Sequence, residues 1–422
     1  MSNYSRLGYC VKREIVNFSQ KICKGMKKPE FKLIVNMLYG ISESGSCHLS
    51  KISRALKEDI KIKKTIERLS RGLNDFSEAN ELLDNYADIV KEYVDDKTIF
   101  TIDNSDITKP YSNALEGLEF VRDGSTGEIE KGYWTLEIAA LTGKCKAPVS
   151  VYDRVYSVAE DGFVSATEEN LNGLRYLSER FGKDGVRALD RGFDGLKYYE
   201  YFLKEKENFI IRATKNRDVR YKGETLNILE VANQFKGKFK LMFQSKKGKT
   251  IDCKTTIIPV SLPKHPKKEL NLVVVYGFGE DPMMLLTNLR SDDKRLANTV
   301  AKVYLMRWRI EEHFRFKKQQ YHLEDFRVRS LNSIRTLHRI VAILSGFVSI
   351  LSEKRDESVF VMELIEVSKR IYKPKKDKAI TKFMNYAIAD GIFAVLKKSF
   401  AGISHFIRPI PAPHFAQLCF SD

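Results

Sequence analysis

Four polar side chains recur at helical spacing between residues 303 and 318: Tyr304, Arg307, Glu311 and Lys318. An α-helix turns by about 100° per residue, which places all four within an arc of about 60°. The carboxylate lies one turn after an arginine and two turns before a lysine, so this face offers a metal ligand beside two phosphate-binding groups. Taken alone, the segment is more typical of a solvated helix face with ion pairs between residues four apart.

Two aspartates directly follow short apolar segments elsewhere in the chain. Residues 98–102 are β-branched or aromatic and precede Asp103, and residues 186–189 precede Asp190. Both segments predict strands that deliver a carboxylate at the strand end. Together with Glu311, these aspartates supply three hard oxygen ligands of the kind that Mg²⁺ prefers, and Mn²⁺ can substitute. Two such ions would activate a water or a 3′-hydroxyl and stabilise the leaving oxygen, as in-line phosphoryl transfer requires.

The predicted elements between these residues describe a mixed α/β sheet with helices packed on it. Strands are predicted at 98–102, 133–141, 148–156, 186–189 and 209–212, and helices at 167–181, 196–204 and about 292–321. Sheets of this kind place active sites at the ends of their strands. The sequence therefore predicts that Asp103 and Asp190 lie at an active site.

Composition divides the chain into five predicted units. They are a basic helical region (1–90), a mixed α/β region (98–215), a β-rich insertion (216–290), a helical segment (291–330) and a helical C-terminal region (331–422). In the first unit, 49–56 and 64–69 fit either a helix-turn-helix motif or an ordinary helical bundle. The insertion has basic hairpin tips at 245–249 and 263–268, and a proline-marked tail lies at 409–413.

An excess of basic residues indicates an acidic partner. The 422 residues include 72 Lys and Arg against 55 Asp and Glu, a net charge of +17. Nucleic acid is the commonest partner for this charge, although ribosome-associated and membrane-surface proteins share it. The six cysteines form no CxxC pair, which predicts reduced thiols in a cytoplasmic protein and no zinc site. No secretory signal is predicted, and the longest apolar run, 340–351, is expected to be too short to span a bilayer.

Two motifs occur in order along the chain. Residues 190–194 (DRGFD) keep both aspartates and the arginine of an Asp-Arg-Glu-Ala-Asp motif, although the middle departs from it. Tyr304, Arg307, Glu311 and Lys318 then form a complete Tyr-x2-Arg-x3-Glu-x6-Lys signature. On these residues, the chain from about 98 to 318 resembles the bacterial insertion-sequence transposases of the DDE type, in their insertion-sequence-four group.

This resemblance implies a ribonuclease H-like catalytic core in which Asp103, Asp190 and Glu311 hold two magnesium ions. In that family the first acidic residue ends a strand before small hydroxyl-bearing residues, which favours Asp103 over the alternative, Asp106. The implied reaction is cut-and-paste transposition on double-stranded DNA, in which hydrolysis at each element end is followed by strand transfer into the target. Pairing of two identical ends favours a homodimer.

The resemblance also implies two sets of DNA contacts. Phosphates near a flipped nucleotide would be bound by Tyr304, Arg307 and Lys318, and the DNA path would be lined by Arg191, Arg212 and Lys215. The β-rich insertion between Asp190 and Glu311 is typical of relatives that form a DNA hairpin and flip a base. In those relatives an insertion tryptophan stacks on the flipped base. Here the tryptophans are Trp134 and Trp308, so that role is absent or belongs to another aromatic residue.

Two other functions fit the same residues. A nuclease on the same fold would cut DNA with a two-metal site but never join it. An inactive DNA-binding remnant would keep the basic surface without an assembled site. A strand-transfer assay separates the nuclease from a transposase, and DNA binding without cleavage identifies the remnant.

Overall fold

One mixed sheet runs through the centre of the chain. In the computed structural model, which describes residues 3–124, 126–143, 147–244, 250–290, 295–371 and 384–407, twelve strands form this sheet. They are β1 (Ile99–Thr108), β2 (Glu119–Arg122), β3 (Ile129–Leu141), β4 (Pro148–Tyr156), β5 (Val186–Leu189), β6 (Phe209–Arg212), β7 (Asp218–Tyr221), β8 (Glu224–Asn227), β9 (Phe239–Gln244), β10 (Thr250–Leu262), β11 (His265–Tyr276) and β12 (Met283–Thr287). The predicted mixed α/β architecture is confirmed.

Helices lie before, within and after the strands. In the described ranges they are α1 (Asn3–Ile22), α2 (Lys28–Ser44), α3 (Leu49–Ala55), α4 (Ile62–Asn74), α5 (Ala79–Lys91), α6 (Ala166–Phe181), α7 (Leu196–Glu205), α8 (Ile228–Asn233), α9 (Leu296–Met306), α10 (Arg309–Gln320), α11 (Leu331–Glu353), α12 (Val359–Ile371), α13 (Asn385–Lys397) and α14 (Ser404–Ile407). Short 3-10 turns lie at Arg191–Phe193 and Leu323–Asp325. Helices α3 and α4 cover the two segments considered for a helix-turn-helix motif.

Strand β1 connects the antiparallel and parallel parts of the sheet. It pairs antiparallel with β3, which in turn pairs antiparallel with β4. On its other side, β1 pairs parallel with β5, and β5 pairs parallel with β6. The four strands predicted at 133–141, 148–156, 186–189 and 209–212 are confirmed as β3, β4, β5 and β6.

The prediction that the first strand ends at Asp103 is wrong. Pairing with β3 continues from Ile99 opposite Leu141 to Thr108 opposite Gly132, so β1 runs five residues beyond Asp103. The parallel ladder with β5 does end at this level, because its last pair is Ile102 and Leu189. Asp103 therefore lies within its strand, one residue beyond the end of the parallel ladder.

Strands β10, β11 and β12 extend the sheet beyond β6. Strand β12 pairs antiparallel with β6, and β11 and β10 follow. The hairpin tip predicted at 263–268 is tighter than expected, since β11 already begins at His265. The tip predicted at 245–249 and the tail at 409–413 lie outside the described residues.

The long helix predicted at about 292–321 is divided into α9 and α10, so the expectation of one continuous helix is wrong. At the junction the backbone hydrogen bonds shorten to a 3-10 pattern, in which Arg307 N donates to Tyr304 O at 3.0 Å and Ile310 N donates to Arg307 O at 3.0 Å. A 3-10 turn inside a helix changes the direction and phase of the residues that follow. Tyr304 and Glu311 therefore belong to two helices.

The helices at the two ends of the chain share one hydrophobic core. Phe18 of α1 packs against Tyr86 of α5 and Phe347 of α11, with ring centroids 6.3 and 4.9 Å apart. Helix α11 has 23 residues, longer than the predicted run, and is long and apolar enough to cross a membrane. However, 89% of its apolar window is buried inside the fold, as in a core helix. The described cysteines, Cys10, Cys23, Cys47 and Cys253, are free; Cys145 and Cys419 lie outside the described residues.

Candidate active site

Asp103 and Asp190 lie side by side where the parallel ladder ends. Ile102 and Leu189 form the last pair between β1 and β5, so the next residue of each chain segment is an aspartate. Asp190 leaves its strand and caps the following 3-10 turn, where its Oδ1 accepts a hydrogen bond from Gly192 N at 2.8 Å. The sheet therefore delivers two carboxylates to one edge.

Arg307 links these carboxylates to α10. Its Nη1 donates to Asp103 Oδ2 at 2.8 Å, and its Nη2 lies 3.6 Å from Glu311 Oε1. Burial lowers the pKa of Arg307, but Asp103, Asp190 and Glu311 outweigh burial and raise it. Asp103 and Glu311, from two separate parts of the chain, thus contact one guanidinium, and Asp190 acts on it electrostatically.

The negative charge of the three carboxylates exceeds the single positive charge of Arg307. Burial raises the pKa of Asp103 to about 7, and the charges of Asp190 and Glu311 add to this effect while Arg307 opposes it. One cation facing three carboxylates is itself stabilised, but it cannot neutralise all of them. The site therefore favours an additional cation.

The chemistry of these donors suits a hard divalent ion, since all three ligands are carboxylates. Within the described ranges, however, no three His, Cys, Asp or Glu side chains are grouped closely enough to hold a metal ion. The Arg307 guanidinium lies between Asp103 and Glu311, which accounts for their separation. The three carboxylates are therefore of the type that binds magnesium. In this structure the Arg307 guanidinium occupies the space between two of them, Asp103 and Glu311.

Asp106, the alternative first carboxylate, lies in a different set of contacts. Its Oδ1 accepts a hydrogen bond from Gly124 N at 3.1 Å. Lys318 donates to its backbone oxygen at 3.1 Å and also pairs with Glu324 at 2.8 Å. The Lys318 ammonium therefore lies near the C-terminal end of β1, and its side chain is 30% exposed.

The remaining predicted DNA contacts differ in their burial and in their partners. Tyr304 is buried, its ring centroid lies 5.8 Å from the Arg307 guanidinium, and burial raises the pKa of its hydroxyl. Arg212 ends β6, is partly buried, and acts electrostatically on Tyr304. Arg191 is exposed on the 3-10 turn, and Lys215 forms an ion pair with Asp281.

Asp194 joins the loops that follow β5 and β6. Its Oδ2 accepts from Thr214 N at 2.7 Å and Thr214 Oγ1 at 2.8 Å. Its Oδ1 accepts from Tyr199 Oη at 2.7 Å and Arg217 Nε at 3.0 Å. The second aspartate of the 190–194 motif thus holds the loop that carries Asp190.

Sequence reasoning missed Glu137, which lies directly opposite Asp103 in the ladder between β1 and β3. Its Oε1 lies 2.8 Å from His313 Nε2, and its Oε2 accepts from Lys317. Burial alone would raise the pKa of Glu137, but Lys317 and His313 hold it well below its usual range. The available signal was a single acidic residue in the otherwise uncharged stretch 133–141.

An aromatic cluster flanks the junction between α9 and α10. Trp308 lies with its ring 5.5 Å from that of Phe278, and Phe278 stacks on Phe243 at 5.2 Å. Phe243 and Phe278 come from β9 and from the turn after β11. The segment between β6 and α9 therefore brings aromatic rings to Trp308, at the junction of α9 and α10.

Comparison with known families gives one match. Residues 167–345 match the family model described as the transposase DDE domain. The matched range is less than half of the chain; it contains Asp190 and all residues from Tyr304 to Lys318, while Asp103 precedes it. The match supports a transposase. No match was found among curated proteins.

Two solved structures show weak similarity. The cryo-EM structure of the piggyBac transposase synaptic complex with hairpin DNA has 12% sequence identity and a TM-score of 0.48, over 97% of this chain and 85% of that chain. The crystal structure of the NurA nuclease from Sulfolobus solfataricus has 12% identity and a TM-score of 0.24, over 58% of this chain and 83% of that chain. Similarity at this level identifies no function.

Proposed function

We propose that this protein is a DDE transposase that cleaves the ends of a DNA element and joins them to target DNA. The observation that carries the proposal is that Arg307 contacts both Asp103 and Glu311, while Asp190 follows β5 where its ladder with β1 ends. Two of these carboxylates fall inside the range that matches the transposase DDE domain. The basic net charge of +17 fits a DNA substrate.

The proposed fold of the core is ribonuclease H-like. The strand order β4-β3-β1-β5-β6, with an antiparallel half and a parallel half, supports this assignment. We assign residues 98–215 and 291–330 to the core, 216–290 to the insertion, 1–90 to DNA binding and 331–422 to the helical C-terminal region. The Tyr-Arg-Glu-Lys signature supports the insertion-sequence-four group and a bacterial, cytoplasmic setting.

Asp103, Asp190 and Glu311 are the proposed ligands of two magnesium ions, which Mn²⁺ can replace. When bound, such ions supply an activated oxygen nucleophile and stabilise the leaving oxygen of a phosphodiester. The protein's own groups orient the DNA. Phosphates are proposed to contact Tyr304, Arg307 and Lys318, and the DNA path is proposed to follow Arg191, Arg212 and Lys215.

A hairpin route with a flipped base is the finer form of this proposal. An unstacked base needs an aromatic surface, since stacking on a ring contributes about 1–3 kcal/mol per base. Trp308 and Phe278 are suited to this role because their rings contact each other and Trp308 directly follows Arg307 in the chain. We assign the stacking role to this pair, within a homodimer that holds two element ends.

The test combines cleavage and joining in one reaction. The purified protein is mixed with a labelled duplex that carries the inverted repeats flanking its gene, a supercoiled plasmid, and Mg²⁺ or Mn²⁺. We expect nicked, hairpin and plasmid-joined products. Cleavage without joining would indicate a nuclease, and a shifted band without cleavage would indicate a DNA-binding remnant.

Two neighbouring glutamates provide a matched pair of variants. Glu311→Gln should abolish cleavage and leave binding of the element ends intact, because the carboxylate contacts no phosphate. Glu312→Gln should cleave normally, since Glu312 pairs with Arg315 on the helix surface. Undiminished cleavage by Glu311→Gln would remove Glu311 from the reaction.

A further inference from the structure

A row of three carboxylates begins at the candidate active site and crosses three neighbouring strands of the sheet. Asp103 of β1 lies opposite Glu137 of β3, and Glu137 lies opposite Asp153 of β4. Residues directly opposite each other in a ladder point to the same face of the sheet. Asp103, Glu137 and Asp153 therefore form one line from the site into the core.

Each carboxylate of this row binds basic side chains of a different helical segment. Asp103 binds Arg307 at the junction of α9 and α10. Glu137 binds His313 and Lys317 of α10. Asp153 lies 3.3 Å from His338 Nδ1 and 3.2 Å from Arg339 Nε, both of α11. The row thus connects one face of the sheet to the helices that cover it.

The contact at Glu137 differs from that at Asp153 in the spacing of its partners, since His338 and Arg339 are adjacent residues of α11. His313 and Lys317 are four residues apart, so they lie one turn apart on the same side of α10. Two directional contacts one turn apart fix both the rotation of the helix and its position along its axis. A slip of one residue would move Glu311 by about 1.5 Å and turn it by about 100°.

Apolar packing alone does not supply this precision. Ile310 and Phe316 of α10 are fully buried, but apolar contact is non-directional. Placing a charged group in the core is also costly, and apolar replacements of buried ion pairs are often neutral or stabilising. The fully buried Glu137 and nearly buried Lys317 are therefore better explained by a requirement for position than by stability.

We propose that Glu137 is a positioning residue: through His313 and Lys317 it sets the rotation and axial position of α10, and thereby the place of Glu311 relative to Asp103. Because α10 is separated from α9 by the 3-10 turn, its placement depends on its own contacts, which are made with the sheet and with α11 and α13. The rate measurements below depend on the proposed function, whereas the spectroscopic measurement does not.

The first experiment compares Glu137→Gln with Asp153→Asn. Asp153 is an equally buried carboxylate one strand farther from the site, and its partners lie on α11, so its variant is the matched control. Both variants should lose thermal stability. Only Glu137→Gln should lose about 100-fold in single-turnover cleavage, the loss expected for misplacement by about 1 Å, with unchanged affinity for the element ends.

The second experiment follows α10 directly. With Trp134→Phe as background, Trp308 becomes the single tryptophan of the chain and reports on the start of α10. We expect Glu137→Gln to shift the Trp308 emission to longer wavelength and to increase its quenching by acrylamide. Asp153→Asn should leave the spectrum unchanged.

A third variant distinguishes an effect on the position of α10 from an effect on the stability of the protein. It also serves as the test if Glu137→Gln does not fold. Glu137→Gln combined with Lys317→Met removes both charges, so it should recover stability but neither the cleavage rate nor the Trp308 spectrum. Recovery of rate and spectrum together with stability would overturn the proposal, as would an unchanged Trp308 spectrum in both Glu137 variants. If the wild-type protein cleaves no DNA, the proposed function fails, and the Trp308 comparison still decides the role of Glu137.

Discussion

The guanidinium of Arg307 donates a 2.8 Å hydrogen bond to Oδ2 of Asp103, a residue more than 200 positions earlier in the chain. This contact connects the 3-10 turn between α9 and α10 to β1, where the antiparallel and parallel parts of the sheet meet. It also brings Glu311, one turn after Arg307, to the side of the sheet where Asp103 acts electrostatically with both Glu311 and Asp190. The junction of the two helices is therefore the point at which the candidate site is assembled.

Asp103→Asn should stabilise the metal-free protein. The pKa of Asp103 is raised from its ordinary value of 3.8 to about 7, so the folded protein binds its proton more tightly than the unfolded chain does. Ionisation of Asp103 therefore costs stability, and this cost grows as the pH rises from about 4 to about 7. The asparagine variant avoids the cost, because it carries no charge and can still accept from Arg307.

The measurement is thermal unfolding in EDTA at several pH values. The difference in unfolding temperature between Asp103→Asn and the wild type should increase up to about pH 7 and then level off. Asp106→Asn is the matched control, since Asp106 is on the same strand but contacts Gly124 and Lys318 instead of Arg307. An asparagine variant at Asp103 that unfolds earlier than the wild type at pH 8 would contradict this prediction.

Asp194→Asn should destabilise the loop that carries Asp190. The Asp194 side chain is 1% exposed and accepts from three residues, including Arg217. An asparagine removes the ion pair and turns one acceptor into a donor that faces Thr214 N–H. Loss of one partner of a buried ion pair typically costs about 3–5 kcal/mol.

Urea unfolding at neutral pH measures this loss. Asp218→Asn is a suitable control, because Asp218 is an exposed residue at the start of β7. Equal unfolding midpoints for Asp194→Asn and the wild type would show that the two loops are held by other contacts.

The two aspartates of the site could be located from sequence because their signals are local. Apolar segments of strand composition precede both Asp103 and Asp190, and β1 and β5 form there. The length of β1 could not be read from the sequence, since residues 103–108 are polar except for Ile107 and form a strand through pairing with β3. That pairing joins distant segments, which periodicity within one segment does not reveal.

The positions of Tyr304, Arg307 and Glu311 relative to one another were predicted only in part, because they too depend on contacts between distant segments. A helical wheel assumes one continuous helix, whereas the 3-10 turn at Arg307 and Trp308 divides it. The turn lets Arg307 reach Asp103, so it depends on contacts with the sheet. Glu137 could not be predicted as a site residue because the sequence does not show that it lies opposite Asp103 in the sheet. The one sequence signal was that Glu137 is the single charged residue in the stretch 133–141.

Lys318→Ala should weaken DNA binding in a salt-dependent manner. Its side chain is part-exposed near β1 and pairs with Glu324, an exchangeable partner at the protein surface. Each phosphate contact releases bound counterions, so loss of one contact should reduce the slope of log affinity against log salt by about 0.9. Lys354→Ala, which alters an exposed lysine after α11, should leave the slope unchanged. An unaltered slope for Lys318→Ala would favour the solvated-face interpretation of this residue.

Glu137 and Asp153 should make the protein sensitive to acid. Burial raises the pKa of each carboxyl, but basic neighbours outweigh it: Lys317 and His313 lower the pKa of Glu137, and Arg339 and His338 lower that of Asp153. A pKa lower in the folded than in the unfolded state stabilises the protein above the unfolded value, and this stabilisation is lost as the pH falls. For Glu137 the loss begins near its ordinary pKa of 4.5.

Glu137→Gln should therefore flatten the dependence of stability on pH below about 4.5, because glutamine takes up no proton on unfolding. At pH 7 the same variant should be less stable than the wild type, since Lys317 is left buried without a counter-charge. Urea midpoints measured from pH 7 to pH 3 give both effects, and the two curves should approach each other as the pH falls. Parallel curves over this range would mean that Glu137 titrates alike in the folded and unfolded chains, and that its contacts with α10 do not stabilise its charge.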